Sequence, residues 1–195
     1  MMHLIKGTED ARYQDLLEEH FLLRHDIFVR ERGWTDLRKP DGREIDDYDN
    51  PDTVYLLATE RNEVVGGYRF IPTIKRHLLL DHFSYLVEGA VPRGRDIWEW
   101  SRFFIRRDHR DGLLFRHLIE AVAPTCKLLS VNTLTCVIEP DWIARFEAAA
   151  LPYHMLGPFV ETGRMRVAAA RLNINLTFAR TSAHQGREMG WNQDC

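Results

Sequence analysis

The chain has 195 residues, 45% of them hydrophobic, which is enough to bury one good core, so we expect a single domain. Its net charge of -3 argues against general binding to nucleic acid or to a membrane surface, because both select a strongly basic face. No window approaches the ~18 apolar residues of a membrane span, and the N-terminus lacks the apolar core of a signal peptide, so we expect a cytoplasmic protein.

The first predicted elements are a short strand at residues 3–6 and a helix that follows the N-cap signal at 8–10. Four residues share one face of this helix at i, i+4, i+7 and i+11 spacing: Leu17, Phe21, Arg24 and Phe28. Arg24 is therefore a cation within an apolar stripe. Because a buried guanidinium needs an opposite charge, we expect it to meet a carboxylate or an anionic ligand.

A charged loop without periodicity follows, from about residue 31 to 52. Gly33 is expected to end the helix, and residues 39–42 have the composition of a turn. A loop of about 20 residues in a compact domain is usually functional or mobile. Trp34 lies in it outside any periodic element, so we expect this ring to bind or anchor rather than to fill the core.

The same loop supplies the acidic side chains that Arg24 requires. Asp46 and Asp49 are the candidates for an ion pair with Arg24, since a buried arginine needs carboxylates whatever the chemistry. Glu44 and Asp47 are expected to be solvated.

Residues 53–59 and 64–74 are predicted to form an antiparallel hairpin, because two strand-like runs flank the tight turn at 60–63. The Gly66-Gly67 pair inside the second strand indicates a bulge or the close approach of another group. Arg69 follows as a second cation in an apolar element.

Residues at about 97–106 have the apolar composition of a buried strand, yet they include a carboxylate, a hydroxyl and a guanidinium. Strand alternation assigns Glu99, Ser101, Phe103 and Ile105 to one face, and Trp98, Trp100, Arg102 and Phe104 to the other. Polar groups in such a strand indicate a functional site, whereas Trp98 and Trp100 are assigned to the core.

The remaining chain is predicted to alternate helices and strands. The elements are a short helix near 80–86, a helix at 111–129 kinked by Pro124, a strand at 132–138, a helix from Pro140 to about 150, and strands at 153–156 and 164–177. The strand at 97–106 and the strand at 132–138 would then form a right-handed βαβ unit. We expect an α/β domain over residues 1–180, with a mixed, mostly antiparallel sheet flanked by helices, and a polar C-terminal tail at 181–195.

The cysteines and histidines predict no metal site. Cys126, Cys136 and Cys195 are an odd number without metal-ligand spacing, so they are interpreted as two small buried residues and a thiol in the tail. The nine histidines show no HxxxH arrangement.

Six short motifs together resemble those of the acyl-homoserine lactone synthases, the LuxI-type autoinducer synthases. They are Arg-His-Asp-Ile-Phe-Val at 24–29, Glu-Arg-Gly-Trp at 31–34, Glu-Ile-Asp-Asp-Tyr-Asp at 44–49, Thr-Val-Tyr-Leu-Leu at 53–57, Gly-Gly-Tyr-Arg at 66–69 and Glu-Trp-Ser-Arg-Phe at 99–103. The resemblance is strong over roughly the first 110 residues and looser beyond them. Taken as a set, these motifs are quite specific, although each one alone is weak.

The resemblance implies a single-domain, three-layer sandwich similar to the GNAT acyltransferases. It also implies a reaction between S-adenosylmethionine and an acyl thioester, carried by CoA or by acyl-carrier protein, with no further cofactor. The products would be an N-acyl-homoserine lactone, methylthioadenosine and the freed thiol carrier. The sequence leaves the acyl group, the carrier and the oligomeric state open.

The resemblance further implies catalytic roles for three residues. Glu99 is the candidate general base, acting directly or through a water, and Ser101 is expected to position that water or the carrier thiol. Arg24 is expected to control the carboxylate of the adenosylmethionine during lactonisation.

Seven residues are expected to bind substrate: Phe28, Trp34, Asp46, Asp49, Arg69, Arg102 and Phe103. Phe28 and Trp34 would shelter the sulfonium by cation–π contact. Asp46 or Asp49 would hold the ammonium group or pin the buried arginines. These roles require the first helix and the charged loop at about 31–52, called the acidic loop below, to converge with the middle strands of the sheet.

One segment departs from ordinary GNAT acetyltransferases. Residues 107–113 keep only a degenerate form of their glycine-rich pyrophosphate turn, which disfavours an alternative function as an N-acyltransferase on another amine. Four basic residues at an expected helix N-terminus can instead bind phosphate or an acidic carrier protein, or form a solvated face: Arg106, Arg107, His109 and Arg110. A non-catalytic sensor is a third hypothesis, disfavoured because a sensor needs no base.

Overall fold

The computed structural model describes residues 1–163 and 165–174. The strands are β1 (Met2–Lys6), β2 (Val54–Glu60), β3 (Glu63–Pro72), β4 (Ile97–Ile105), β5 (Thr133–Ile138), β6 (Tyr153–Met155), β7 (Val160–Thr162) and β8 (Met165–Asn173). The α-helices are α1 (Gln14–Arg24), α2 (Leu78–Asp81), α3 (Leu114–Glu120), α4 (Val122–Leu128) and α5 (Asp141–Ala148). The predicted tail at 181–195 and the end of the predicted last strand lie outside the described residues.

Hydrogen bonds join the strands in the order β1-β2-β3-β4-β5-β8-β6, with β7 paired to β8. The β4–β5 pair is parallel, and α3 and α4 lie in the connection between these strands. The pairs β1–β2, β2–β3, β5–β8, β6–β8 and β7–β8 are antiparallel. The predicted mixed, mostly antiparallel sheet is therefore confirmed.

The described chain divides into two compact units. The first unit contains residues 1–70 and 102–118, and the second contains 71–101, 119–163 and 165–174. The extent of the expected domain, residues 1–180, stays a prediction.

In the first unit, α1 buries the predicted apolar stripe, and the helix then widens. Leu17, Phe21 and Phe28 pack into one core cluster with Tyr55 of β2 and with Phe104 of β4. Residues His25–Glu31 continue α1 as a π-helix, an i→i+5 form that was not predicted from the sequence and that is frequent at functional sites.

The glycine pair in β3 is required by close backbone approach, as predicted. A Cβ on Gly67 would lie 2.5 Å from the carbonyl oxygen of Leu56 on β2, and one on Gly66 would lie 3.0 Å from that of Phe104. The β2–β3 register also shifts here, because Ala58 pairs with Gly66 but Thr59 pairs with Val64. Both predicted features, the bulge and the close approach, are present.

The predicted helix at 111–129 is shorter and interrupted. It begins at Leu114, with α3. This helix ends at Glu120 and α4 begins at Val122, so Ala121 alone separates the two. Pro124 lacks the N–H that would bond to the carbonyl of Glu120, which explains the break at this point. The three-residue strand β7 was not predicted.

Among the described residues, none of the helices has the length and apolar character needed to cross a bilayer. Cys126 and Cys136 are buried and unbridged, as predicted, whereas Cys195 lies outside the described part of the chain.

Candidate active site

Arg24 lies in a buried ion-pair network of the first unit. Its Nε donates to Glu44 Oε2 at 2.5 Å, and its two terminal nitrogens donate to the carboxylate oxygens of Asp49 at 2.8 and 3.0 Å. The side chain of Arg24 is 0% exposed. The prediction that this cation meets carboxylates is confirmed.

Two further arginines complete the network. Arg69 on β3 donates to both oxygens of Asp46, at 2.7 and 2.6 Å, and its NH1 also lies 2.8 Å from Asp49 Oδ1. Arg102 on β4 donates to Glu44 at 3.0 and 3.1 Å and to Asp46 at 3.0 Å. The loop, the early helix and two sheet strands therefore converge within this unit, as the sequence required.

Glu44 corrects a prediction, because it is 1% exposed rather than solvated. Burial alone would raise the pKa of Glu44, but the guanidinium groups of Arg24 and Arg102 outweigh it and lower the pKa to about 2. Asp47 is exposed, as predicted. Charge counting offered a signal for Glu44, because three arginines in apolar elements need three carboxylates and Glu44 precedes Asp46 by two residues.

Asp49 is the most deeply enclosed carboxylate of the network. Its side chain is 0% exposed, and burial raises its pKa, but Arg24 and Arg69 together hold that pKa well below the ordinary value. Tyr55 also donates its hydroxyl to Asp49 at 2.9 Å, and burial followed by the charge of Asp49 raises the tyrosine pKa. The carboxylate therefore stays ionised.

Exposure distinguishes the inner part of the network from the part that a ligand can reach. The side chains of Arg24, Arg69, Glu44 and Asp49 are at most 1% exposed, whereas Asp46 is 18% and Arg102 is 10% exposed. The accessible edge of the ion-pair network is thus one carboxylate and one guanidinium, held 3.0 Å apart.

Trp34 is placed beside this edge by the end of the π-helix. Gly33 adopts a φ of +73°, in the left-handed region, and the N–H of Trp34 donates back to the carbonyl of Phe28 at 2.9 Å. The two rings then stack, with centroids 5.0 Å apart and planes 15° apart. The guanidinium carbon of Arg102 lies 5.6 Å from the Phe28 centroid and 5.9 Å from the Trp34 centroid.

Phe103 also lies in the first unit. Its ring stacks on Tyr68 at 6.1 Å and meets Phe115 edge-on at 5.5 Å. Arg102 just before it has a φ of +53°, which departs from extended geometry. The prediction of regular alternation along the whole of β4 is therefore wrong at this residue.

Glu99 belongs to the second unit and is 1% exposed. Its Oε2 accepts a hydrogen bond from the main-chain N–H of Leu79 in α2 at 2.9 Å. Ser101 lies two residues further along β4 and is half-buried. Trp100 is 4% exposed and packs against Trp142 and Phe146 of α5, as expected for the core, whereas Trp98 is only half-buried.

The basic residues at 106–110 do not lie at a helix N-terminus, which corrects another prediction. α3 begins only at Leu114, and residues Arg107–His109 form a 3₁₀ turn. Three of these side chains pair with carboxylates: Arg106 with Glu63 and Asp108, His109 with Glu60 and Asp108, and Arg110 with Glu31. Residues 111–113 lie between Arg110 and the start of α3.

Comparison with known proteins gives one consistent family. The family model described as autoinducer synthase matches residues 8–133. The isovaleryl-homoserine lactone synthase of Bradyrhizobium diazoefficiens is 46% identical over 159 residues, which cover 80% of this chain and 72% of that protein.

Solved structures agree with the sequence comparison. The structure of a CoA-dependent acyl-homoserine lactone synthase, BjaI, with SAM and isopentyl-CoA matches with a TM-score of 0.86 and 39% identity, covering 97% of this chain and 95% of that one. A putative N-acetyltransferase from Lactobacillus plantarum matches with a TM-score of 0.60 and 16% identity, covering 89% of this chain and 98% of the other, and so shows the fold alone. The predicted GNAT-like fold is confirmed.

Proposed function

Because this chain belongs to the autoinducer synthase family and is an acyl-homoserine lactone synthase, we propose that its acyl donor is CoA carrying a short, branched acyl group. The reaction joins S-adenosylmethionine to an acyl thioester. The observation that carries the proposal is the 46% identity to an enzyme named for its isovaleryl product, over 80% of this chain. The CoA-dependent enzyme described with isopentyl-CoA supports the same carrier and the same class of acyl group.

The accessible edge of the ion-pair network supports a place for the amino-acid part of S-adenosylmethionine. A ligand with an α-carboxylate and an α-ammonium group would exchange partners with the Asp46–Arg102 pair, the carboxylate meeting Arg102 and the ammonium meeting Asp46. The ring of Trp34 stacks on the buried ring of Phe28 and lies next to Arg102, so Trp34 is the aromatic face that would meet the sulfonium.

Arg24 fits a positioning role better than direct contact with the substrate. The guanidinium is completely buried, and Glu44 and Asp49 accept bonds from each of its three nitrogens. Together with Arg69 it holds the loop carboxylates in place, so that the ligand meets Asp46 and Arg102 in a fixed geometry.

For acyl transfer, Glu99 is the proposed general base. The ammonium group of S-adenosylmethionine loses a proton to Glu99, directly or through a water, and the resulting amine attacks the thioester carbonyl. The tetrahedral intermediate collapses with loss of the CoA thiolate, and the thiolate takes up the second proton, which the attacking nitrogen gives up as the amide forms. Ser101, half-buried two residues along β4, is proposed to position the water or the leaving thiol.

Lactonisation follows on the acylated ligand. The carboxylate oxygen attacks the γ-carbon that carries the sulfonium, the C–S bond breaks, and methylthioadenosine leaves as a neutral thioether. The step is intramolecular, so holding the chain in the folded-back conformation supplies much of the catalysis. A cytoplasmic location is proposed with this function, because S-adenosylmethionine and acyl-CoA are intracellular metabolites.

The experiment is to incubate the purified protein with S-adenosylmethionine and a matched panel of thioesters, and to follow methylthioadenosine release. The panel contains isovaleryl-CoA, straight-chain butyryl- and hexanoyl-CoA, an aromatic acyl-CoA and the same acyl groups on acyl-carrier protein. We expect the highest kcat/KM with isovaleryl-CoA. A preference for acyl-carrier protein, or for a straight or aromatic group, would contradict the proposed donor.

A further inference from the structure

We propose that the main-chain N–H of Leu79 is a positioning group for Glu99, so that the first turn of α2 orients the base and keeps it ionised. The bond from Leu79 N–H to Glu99 Oε2 is 2.9 Å long and buried. The inference rests on the proposed role of Glu99 in acyl transfer.

The side chain of Leu79 fixes the position of this N–H. Leu79 is 0% exposed and packs in a core cluster of the second unit with Leu86, Val167 and Ala169. The donor is near the start of α2, so its N–H is one of the groups that a helix leaves without an intrahelical partner. The amide is therefore free to bond to a side chain, and core packing holds it against the carboxylate.

Because Glu99 is buried, this hydrogen bond matters for the charge state of its carboxylate. An ionised carboxylate that is 1% exposed has lost most of its hydration, and an N–H donor compensates by favouring the charged form. A general base must be ionised before it accepts a proton. The Leu79 N–H thus acts on both the orientation of the carboxylate and its readiness to act as base.

The titratable side chains on these neighbouring elements either stay neutral or have partners of their own. On β5, the thiol of Cys136 is buried, and its pKa is raised by burial and then by the charge of Glu99, so it stays neutral. On α2, Asp81 pairs with Arg76 at 2.9 Å, and Nδ1 of the N-cap residue His77 lies 3.0 Å from the Lys75 carbonyl. On β4 itself, Arg102 bonds to carboxylates of the acidic loop.

The sharpest test removes the N–H and keeps the side chain. Semisynthesis or nonsense suppression can replace Leu79 with its α-hydroxy acid analogue, which converts the amide to an ester. The matched control is the same ester at Leu86, which is 1% exposed in the same cluster but donates its N–H to the Phe83 carbonyl. The readout is the pH profile of kcat/KM, with Leu79→Ala and Leu86→Ala as a second pair that tests the packing.

The ester at Leu79 should move the acidic limb of kcat/KM to higher pH by about one unit, the shift that loss of one charge-assisted hydrogen bond produces. The ester at Leu86 should leave the limb in place, and Leu79→Ala should shift it more than Leu86→Ala. An unmoved limb in the Leu79 ester, or an equal shift in the Leu86 ester, would overturn the inference.

A measurement without turnover separates this inference from the proposed function. Carbon-13 NMR titration of the Glu99 carboxyl, assigned by its disappearance in Glu99→Gln, reports the same shift directly. If the carboxyl titrates higher in the Leu79 ester but no donor releases methylthioadenosine, the positioning contact stands and the function fails. If turnover is present and the carboxyl does not shift, the positioning contact fails alone.

Discussion

At the residue scale, Glu44 pairs with two guanidinium groups at once, since it accepts bonds from both Arg24 and Arg102. Replacing it by the isosteric, neutral glutamine would leave buried positive charge uncompensated. We expect Glu44→Gln to lower the free energy of unfolding by about 3 kcal/mol or more. Urea denaturation measures the change.

The matched control for this substitution is Asp47→Asn in the same loop. Asp47 is exposed, so its replacement should change the free energy of unfolding by no more than about 0.5 kcal/mol. Equal effects of Glu44→Gln and Asp47→Asn would show that the buried network does not hold the loop.

Trp34 gives a second prediction at this scale, because its stacked ring is proposed to face the sulfonium. Trp34→Ala should cost about 0.5–2 kcal/mol of binding, which is roughly 2- to 30-fold in KM for S-adenosylmethionine, and should leave the KM of the thioester almost unchanged. Trp34→Phe keeps an aromatic face and should recover part of the loss. Steady-state kinetics with each substrate varied in turn would refute the assignment if both KM values rose equally.

The sequence revealed some residues of this network and concealed others for physical reasons. Arg24 and Arg69 were evident because a cation inside an apolar pattern demands a partner. Glu44 was missed because its loop has no periodicity, so no local pattern separates a buried acid from a solvated one, and only the count of three buried arginines pointed to a third carboxylate. The positive φ of Arg102 has no sequence signal either, since arginine carries no preference for that region.

At the element scale, the β2–β3 hairpin depends on the absence of a side chain at Gly67. A Cβ there would lie 2.5 Å from the Leu56 carbonyl oxygen, an atom that cannot move without displacing the sheet backbone. We expect Gly67→Ala to destabilise the protein by about 1–3 kcal/mol, measured as a lower Tm and a lower denaturation midpoint.

Gly112→Ala is the control for this prediction. A Cβ at Gly112 would have the His109 carbonyl as its nearest neighbour, at an ordinary contact distance of 3.7 Å. This variant should stay within about 0.5 kcal/mol of the parent, and a loss as large as that of Gly67→Ala would remove the steric explanation.

Elements were predictable where a local pattern is strong. The hairpin and β4 were placed within two residues, because alternating apolar residues and a tight turn define them. The π-helix was hidden because His25–Glu31 keeps the apolar spacing of an ordinary helix. β7 is only three residues long and is stabilised by its pairing with β8, which no local pattern reports.

At the scale of the whole molecule, the buried ionisable groups predict stability that falls with acid. The folded-state pKa of Glu44 is lowered from 4.5 to about 2, so its contribution, on the order of 3 kcal/mol, is present above pH 4.5 and is lost as the pH falls towards 2. Asp49 acts in the same direction, because its pKa is also lowered.

His20 extends this acid sensitivity to higher pH. It is 0% exposed, and burial followed by the charge of Arg24 lowers its pKa well below 6.5. As the pH falls, His20 therefore takes up a proton in the unfolded chain at a higher pH than it does in the folded protein. Unfolding free energy measured from pH 7.5 to 3 should therefore decline below about pH 6.5 and fall further below about pH 4.5. An unfolding free energy that does not change with pH across this range would contradict the charged state of Glu44 and Asp49 and the neutral state of His20 in the folded protein.

The most direct test of the whole account is the turnover of Glu99→Gln with both substrates saturating, followed as methylthioadenosine release. Glutamine keeps the shape of the side chain but cannot accept the proton of the ammonium group. We expect kcat to fall by about 10²–10⁴-fold while S-adenosylmethionine still binds, as measured by calorimetry. Wild-type turnover by this variant would contradict it.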